Sequence, residues 1–123
     1  YWDCCKASCG WPNKASVSSP VQTCAADSTT PVDANTPSGC DSGGTGYMCS
    51  NQQVWNVSST LSYGYAAARI AGQGESDWCC ACYSLIFTST SITGKELIVQ
   101  VTNTGGDLHD NQFDLAMPGG GVG

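Results

Sequence analysis

The chain has 123 residues with 4 basic and 10 acidic side chains, for a formal charge of −6, which bounds it to one small domain or part of one. Only 11% of residues are charged against 41% hydrophobic, which excludes a disordered acidic tail. Four scattered cations on an anionic body exclude a nucleic-acid or acidic-lipid partner, and no apolar run approaches the roughly 18 residues of a membrane helix. Neutral partners are favoured.

Nine cysteines in so short a chain point to a secreted disulfide scaffold, because a small core is marginal and each cross-link adds about 2 to 4 kcal/mol. The count is odd, so at least one Cys is free or paired outside these residues, and spacing alone leaves the connectivity open. A chain that starts on Tyr1 without Met, shows no leader and stops on a glycine run is expected to be a fragment of an exported protein.

Residues 1–60 are dense in Cys, Pro, Ser, Thr, Asp and Gly with no sustained period, and read as stapled loops. Asn56, Val57 and Ser58 within them form an N-glycosylation sequon. From Thr60 to Ala71 the four-residue spacing of Leu61 with Tyr65 and Ala66 with Ile70, around the run Ala66, Ala67, Ala68, predicts a short helix ending near Gly72. Alternation over Tyr83–Thr88 and again over Lys95–Val101 predicts two strands, joined as a hairpin. Thr104 to Gly123 reads as a Gly- and Asp-rich loop. Trp55 and Trp78 are expected in the core.

Candidate chemistry lies in the carboxylates. Asp114 stands among Phe113, Leu115, Ala116 and Met117, an apolar setting that disfavours its charged form and suits a general acid. Asp107, seven residues earlier behind two glycines, is placed to share its loop, although taken alone it is better explained as a turn-forming residue bonding its own backbone. Asp3 follows Tyr1 and Trp2 and precedes Cys4 and Cys5, which would fix it as a base must be fixed to position one water. Trp11, between Gly10 and Pro12, offers a flat face to a neutral sugar or a lid over disulfides. The cysteine spacings fit no C-x2-C zinc pattern, and His109 has no nucleophile signature around it, so neither a metal nor any other cofactor is expected.

The stretch Tyr1, Trp2, Asp3, Cys4, Cys5, Lys6, then Ser8, Cys9, Gly10, Trp11, resembles the opening motif of the fungal-type endoglucanases of glycoside hydrolase family 45. Trp78, Cys79, Cys80, Ala81, Cys82, Tyr83 resembles that family's central cysteine motif. Thr104–Leu108, Asn111–Asp114 and Pro118–Gly123 resemble its catalytic loop. The resemblance implies a mainly β fold, a six-stranded double-psi β-barrel with long disulfide-tied loops and one or two short helices, here incomplete. Residues 1–123 would be the first three-fifths of a single catalytic domain.

The implied activity is inverting hydrolysis of internal β-1,4 bonds of cellulose by a secreted, monomeric enzyme. Asp114 would be the general acid, Asp3 the general base and Asp107 an assisting carboxylate. Tyr1, Trp11 and Lys6 would contact the glucan. The resemblance further implies the disulfides Cys5–Cys40, Cys9–Cys79 and Cys24–Cys49, leaving Cys4, Cys80 and Cys82 to pair beyond residue 123, and a 123-residue piece that is inactive or poorly folded by itself. The competing reading is a non-catalytic expansin-like or barwin-like barrel that binds carbohydrate without cutting it. Asp3 is the residue that separates the two, because inversion needs a base across the groove from the acid.

Overall fold

A computed structural model describes residues 1–120; the last three residues of the glycine motif, Gly121, Val122 and Gly123, lie outside the described residues. The first 60 residues hold only short strands. β1 (Thr23–Cys24), β2 (Pro31–Val32) and β3 (Tyr47–Met48) form an antiparallel sheet in the order β2-β1-β3. Apart from a 3-10 turn at Ser8–Gly10 and a strand at Trp55–Asn56 that joins the larger sheet, the rest is loop, tied by Cys5–Cys40 and Cys24–Cys49 and, to the second half of the chain, by Cys9–Cys79. These are the three pairs the resemblance implies. Cys4, Cys80 and Cys82 have no disulfide partner among the described residues.

The larger sheet contains β4 (Trp55–Asn56), β5 (Leu61–Arg69), β6 (Cys82–Ile86), β7 (Glu96–Thr104) and β8 (Gln112–Leu115), with a single-turn helix α1 (Glu75–Trp78) between β5 and β6. Its order is β4-β5-β7-β6, with β8 on β5. Because β7 runs along one edge of β5 in parallel, β4 and β8 share the other edge. The expected hairpin is present: β6 and β7 pair antiparallel with Tyr83 opposite Val99 and Leu85 opposite Leu97.

Thr60–Ala71 is not a helix. A four-residue spacing is one helical turn but also two strand repeats, so the apolar pattern fits both periods. The alanine run favours a helix on intrinsic propensity. Here it serves tertiary packing instead, because Ala66, Ala67 and Ala68 are all nearly inaccessible and their small side chains let β7 and β8 close on both edges. Thr104–Gly123 is likewise not all loop. In β8, alternation sends Phe113 and Leu115 to the core clusters and Asp114 to the opposite face. Trp55 is not core: it is 48% exposed, edge-on to Tyr63 at 5.6 Å.

The core lies on one face of the larger sheet. Ala68, Val101, Trp78 and the Cys9–Cys79 bridge form one buried cluster, and Ala66, Leu97 and Val99 another, with Tyr83 and Phe113 packed against both. The other face, carrying Trp55, Tyr63, Tyr65, Cys82, Ile98 and Gln100, stays open. Among the described residues the strands therefore make two open sheets and no closed barrel.

Candidate active site

The floor of the site follows from strand register. Ala67 in β5 lies opposite Asn103 in β7 and Asp114 in β8, and directly opposed residues share a face. A bulge makes this possible. Pairing jumps from Ala66 with Val101 to Ala67 with Asn103, skipping Thr102, which turns Asn103 to the side of Asp114 while Val101 and Thr102 remain buried. Thr102 is satisfied in place by donating to the Gln52 side-chain oxygen at 2.8 Å.

Two further segments close around this row. The Tyr1 nitrogen donates to the Leu115 carbonyl and the Met117 N–H donates to the Tyr1 carbonyl at 2.9 Å, so the first residues run beside β8. Two residues on, the Asp3 carboxylate accepts the Cys5 N–H at 3.2 Å while Cys4 takes a left-handed backbone, which aims Asp3 outward at the rim. After β7 the chain turns through Gly105 and Gly106 to Asp107. A Cβ at Gly105 would stand 2.3 Å from the Leu108 side chain, so any larger residue there displaces Leu108.

Tyr1, Asp3, Ala67, Asn103, Asp107 and Asp114 thus line one cleft of about 340 Å³. The three carboxylates singled out in the sequence converge although Asp3 and Asp114 are far apart along the chain. Among the described residues none of the three forms an ion pair. The cations Lys14 and Arg69 pair elsewhere, with Glu75 and Asp110.

Tyr1 is shaped by its surroundings. Its hydroxyl is buried and meets no partner in hydrogen-bonding geometry, although the Asn103 and Thr102 side chains flank it. Burial first, then the negative charge of Asp3 and Asp114, pushes its pKa up to about 12. A folded-state value above the ordinary 10.0 means Tyr1 contributes a stabilising term that is complete below about pH 10 and lost as pH rises through about 12. The expected result of an ultraviolet phenolate titration is one tyrosine ionising near pH 12, absent in Tyr1→Phe.

A polar network backs the Thr104–Asp107 side of the cleft. The Trp78 indole N–H and the Ser8 hydroxyl donate to the Thr104 hydroxyl at 3.1 and 3.0 Å, and the Thr104 hydroxyl donates to Glu75 at 3.3 Å. Glu75 also receives the Lys14 ammonium at 3.0 Å. Although burial opposes its charge, these hydrogen bonds hold Glu75 below the usual carboxylate range. Thr104, the residue before Gly105, is therefore fixed from three sides.

Two residues expected to contact substrate are not among those lining this cleft. Lys6 is only 6% exposed, its ammonium donates to the Ala34 and Thr36 carbonyls, and it sits 3.3 Å from the centre of the Trp11 ring. An ammonium committed to two carbonyls and an aromatic face is a structural cation, and burial lowers its pKa. Trp11 is half-buried and lines a hollow beside Cys9 and Cys79. Conversely, Asn103 and Ala67 line the cleft unannounced by any motif, because their place depends on strand register.

The sequence matches Glycosyl hydrolase family 45 over residues 1–123. It is 58% identical over 123 residues to an endoglucanase of Cryptopygus antarcticus, covering 100% of this chain and 54% of that protein. It is 54% identical to a putative endoglucanase type K of Fusarium oxysporum, covering 33% of that protein. The crystal structure of the cellulase from Cryptopygus antarcticus superimposes with a TM-score of 0.90, covering 100% of this chain and 58% of that one. The chain thus spans about half the length or less of these two endoglucanases. A match running from the first residue to the last, with the same mainly β, disulfide-tied fold, means that this chain belongs to glycosyl hydrolase family 45.

Proposed function

We propose that these residues are part of the catalytic domain of a secreted, monomeric endo-β-1,4-glucanase that hydrolyses cellulose with inversion. The observation that carries this reading is the single cleft shared by Asp3, Asp107 and Asp114. Asp114, on a paired strand, is the general acid that protonates the departing glycosidic oxygen. Asp3, at the rim on an independent segment, is the base that takes a proton from the attacking water. Inversion needs room for that water, so the two carboxyl groups act across about 6.5 to 9.5 Å. Asp107 assists from the loop beside the acid. Tyr1 keeps its neutral hydroxyl between the two and borders the glucan. A non-catalytic barrel has no use for this convergence of three carboxylates in one cleft.

Further chain, we infer, completes a six-stranded double-psi β-barrel over the open face of the larger sheet. Cys82 lies on that face, and Cys4 and Cys80 are held at φ 55 and 67, conformations that cost a non-glycine residue roughly 1 to 3 kcal/mol. Cross-links from Cys4, Cys80 and Cys82 to half-cystines in that chain offset this strain, and residues 1–123 alone are inactive. The test is carboxymethylcellulose viscosity with the full-length protein. A rapid fall in viscosity ahead of reducing-end release is expected, and a loss of about 10²-fold or more in Asp3→Asn. A full-length protein with no effect on any β-1,4-glucan contradicts the proposal.

A further inference from the structure

One motif has no part in the cleft: Asn56-Val57-Ser58, the only Asn-X-Ser/Thr sequence in the chain with X other than Pro. We propose that Asn56 is the acceptor of an N-linked glycan whose first N-acetylglucosamine seats in the groove between the β4–β5 turn and the Phe87–Ile92 segment.

Three observations converge on it. First, Asn56 is exposed on β4, an edge strand. The Ser62 hydroxyl donates to its side-chain oxygen at 2.8 Å, which fixes the carboxamide and leaves its nitrogen without a partner among the described residues. Second, the nitrogen has somewhere to deliver a sugar. Asn56 borders a groove of about 480 Å³ lined by Val54, Thr60, Phe87, Ile92 and Leu97, room for a hexosamine whose apolar face rests on aromatic and aliphatic side chains. Third, this end of the sheet has apolar surface to cover. Val54, Val57 and Ile92 are 51%, 50% and 37% exposed on and beside an unprotected strand edge, which favours association with other chains unless it is masked. A bulky, solubilising glycan masks it.

Position and timing are consistent. Asn56 pairs with Ser62, and the cleft residue Ala67 lies five residues farther along β5, roughly 16 Å at strand rise, so the glycan leaves the cleft clear. In the folded turn the Ser58 hydroxyl accepts the Thr60 and Leu61 N–H groups at 3.2 and 3.1 Å. The sequon hydroxyl is thus occupied once β4 and β5 pair, and transfer precedes hairpin closure, on the extended chain during export. In that step the Asn56 amide nitrogen bonds to C1 of the sugar of a lipid-diphosphate-linked oligosaccharide. The C1–O bond breaks, the lipid diphosphate leaves with the electron pair, and the amide proton passes to base or solvent.

The inference rests on export and not on the glucanase reading, so either stands if the other fails. The experiment is secretion of the full-length protein from a eukaryotic host, with peptide mapping by mass spectrometry. The Asn56 peptide is expected to carry one glycan, removable by peptide N-glycosidase, lost in Asn56→Gln and Ser58→Ala and retained in Ser58→Thr. Folded, secreted protein with unmodified Asn56 overturns the assignment. For the seating, enzymatic deglycosylation of the folded protein is expected to raise anilinonaphthalene sulfonate binding several-fold. Equal dye binding before and after overturns the groove as the sugar's resting place.

Discussion

Asp114→Asn in the full-length protein is expected to lower kcat by about 10²- to 10⁴-fold, the range that a positioned proton donor contributes, while leaving circular dichroism and thermal midpoint unchanged. The substitution keeps size and shape and removes only the transferable proton. Asp114 makes no ion pair among the described residues, so nothing structural is broken with it, and the β8 register with β5 is backbone-borne. A further expectation separates catalysis from binding: KM should move little, because the lost interaction belongs to the transition state. A mutant within a few-fold of the parent on a β-1,4-glucan removes Asp114 from the acid role.

The second large effect is on stability. Cys9 and Cys79 are 1% and 4% exposed and bridge 70 residues of sequence, joining the N-terminal loops to the core beneath the larger sheet. Replacing both with Ala frees that loop in the unfolded chain, which loop-closure entropy values at about 4 kcal/mol. Against a net stability of roughly 5 to 15 kcal/mol for a domain, this is a large share. Thermal unfolding should shift down by on the order of 15 °C. The carboxylate-lined cleft should suffer as well, because Ser8, next to Cys9, bonds Asn103 and Thr104 at 2.8 and 3.0 Å. A shift of a degree or two would mean the N-terminal loops are held by packing alone.

What the sequence revealed and what it hid divides along physical lines. The β6–β7 hairpin was legible because two alternating runs flank a polar turn, and a strand period repeated twice is hard to imitate. The fate of Ala66–Ala68 was not, because alanine suits a helix by propensity and a crowded sheet centre by size, and only the strands on both sides decide between them. β8 was hidden by its four-residue length. Asp3, Asp107 and Asp114 were singled out by local setting and by family resemblance, but neither carries the long-range pairing that seats Tyr1 beside Leu115 and so brings Asp3 into the cleft. Lys6 came only with the family resemblance, and no sequence pattern announces that its ammonium is held by two carbonyls and the Trp11 ring. Asn103 was unreadable, since a one-residue bulge at Thr102 determines which way it faces.

The account stands on water entering from the side of Asp3 while Asp114 protonates the leaving sugar from the other. Proton NMR of the first products released from a soluble β-1,4-glucan by the full-length protein reads this directly. The α anomer should appear first and mutarotate later, as single-displacement chemistry demands. Initial appearance of the β anomer would contradict the assignment of Asp3 as a base and require a covalent intermediate that this pairing of carboxylates does not supply.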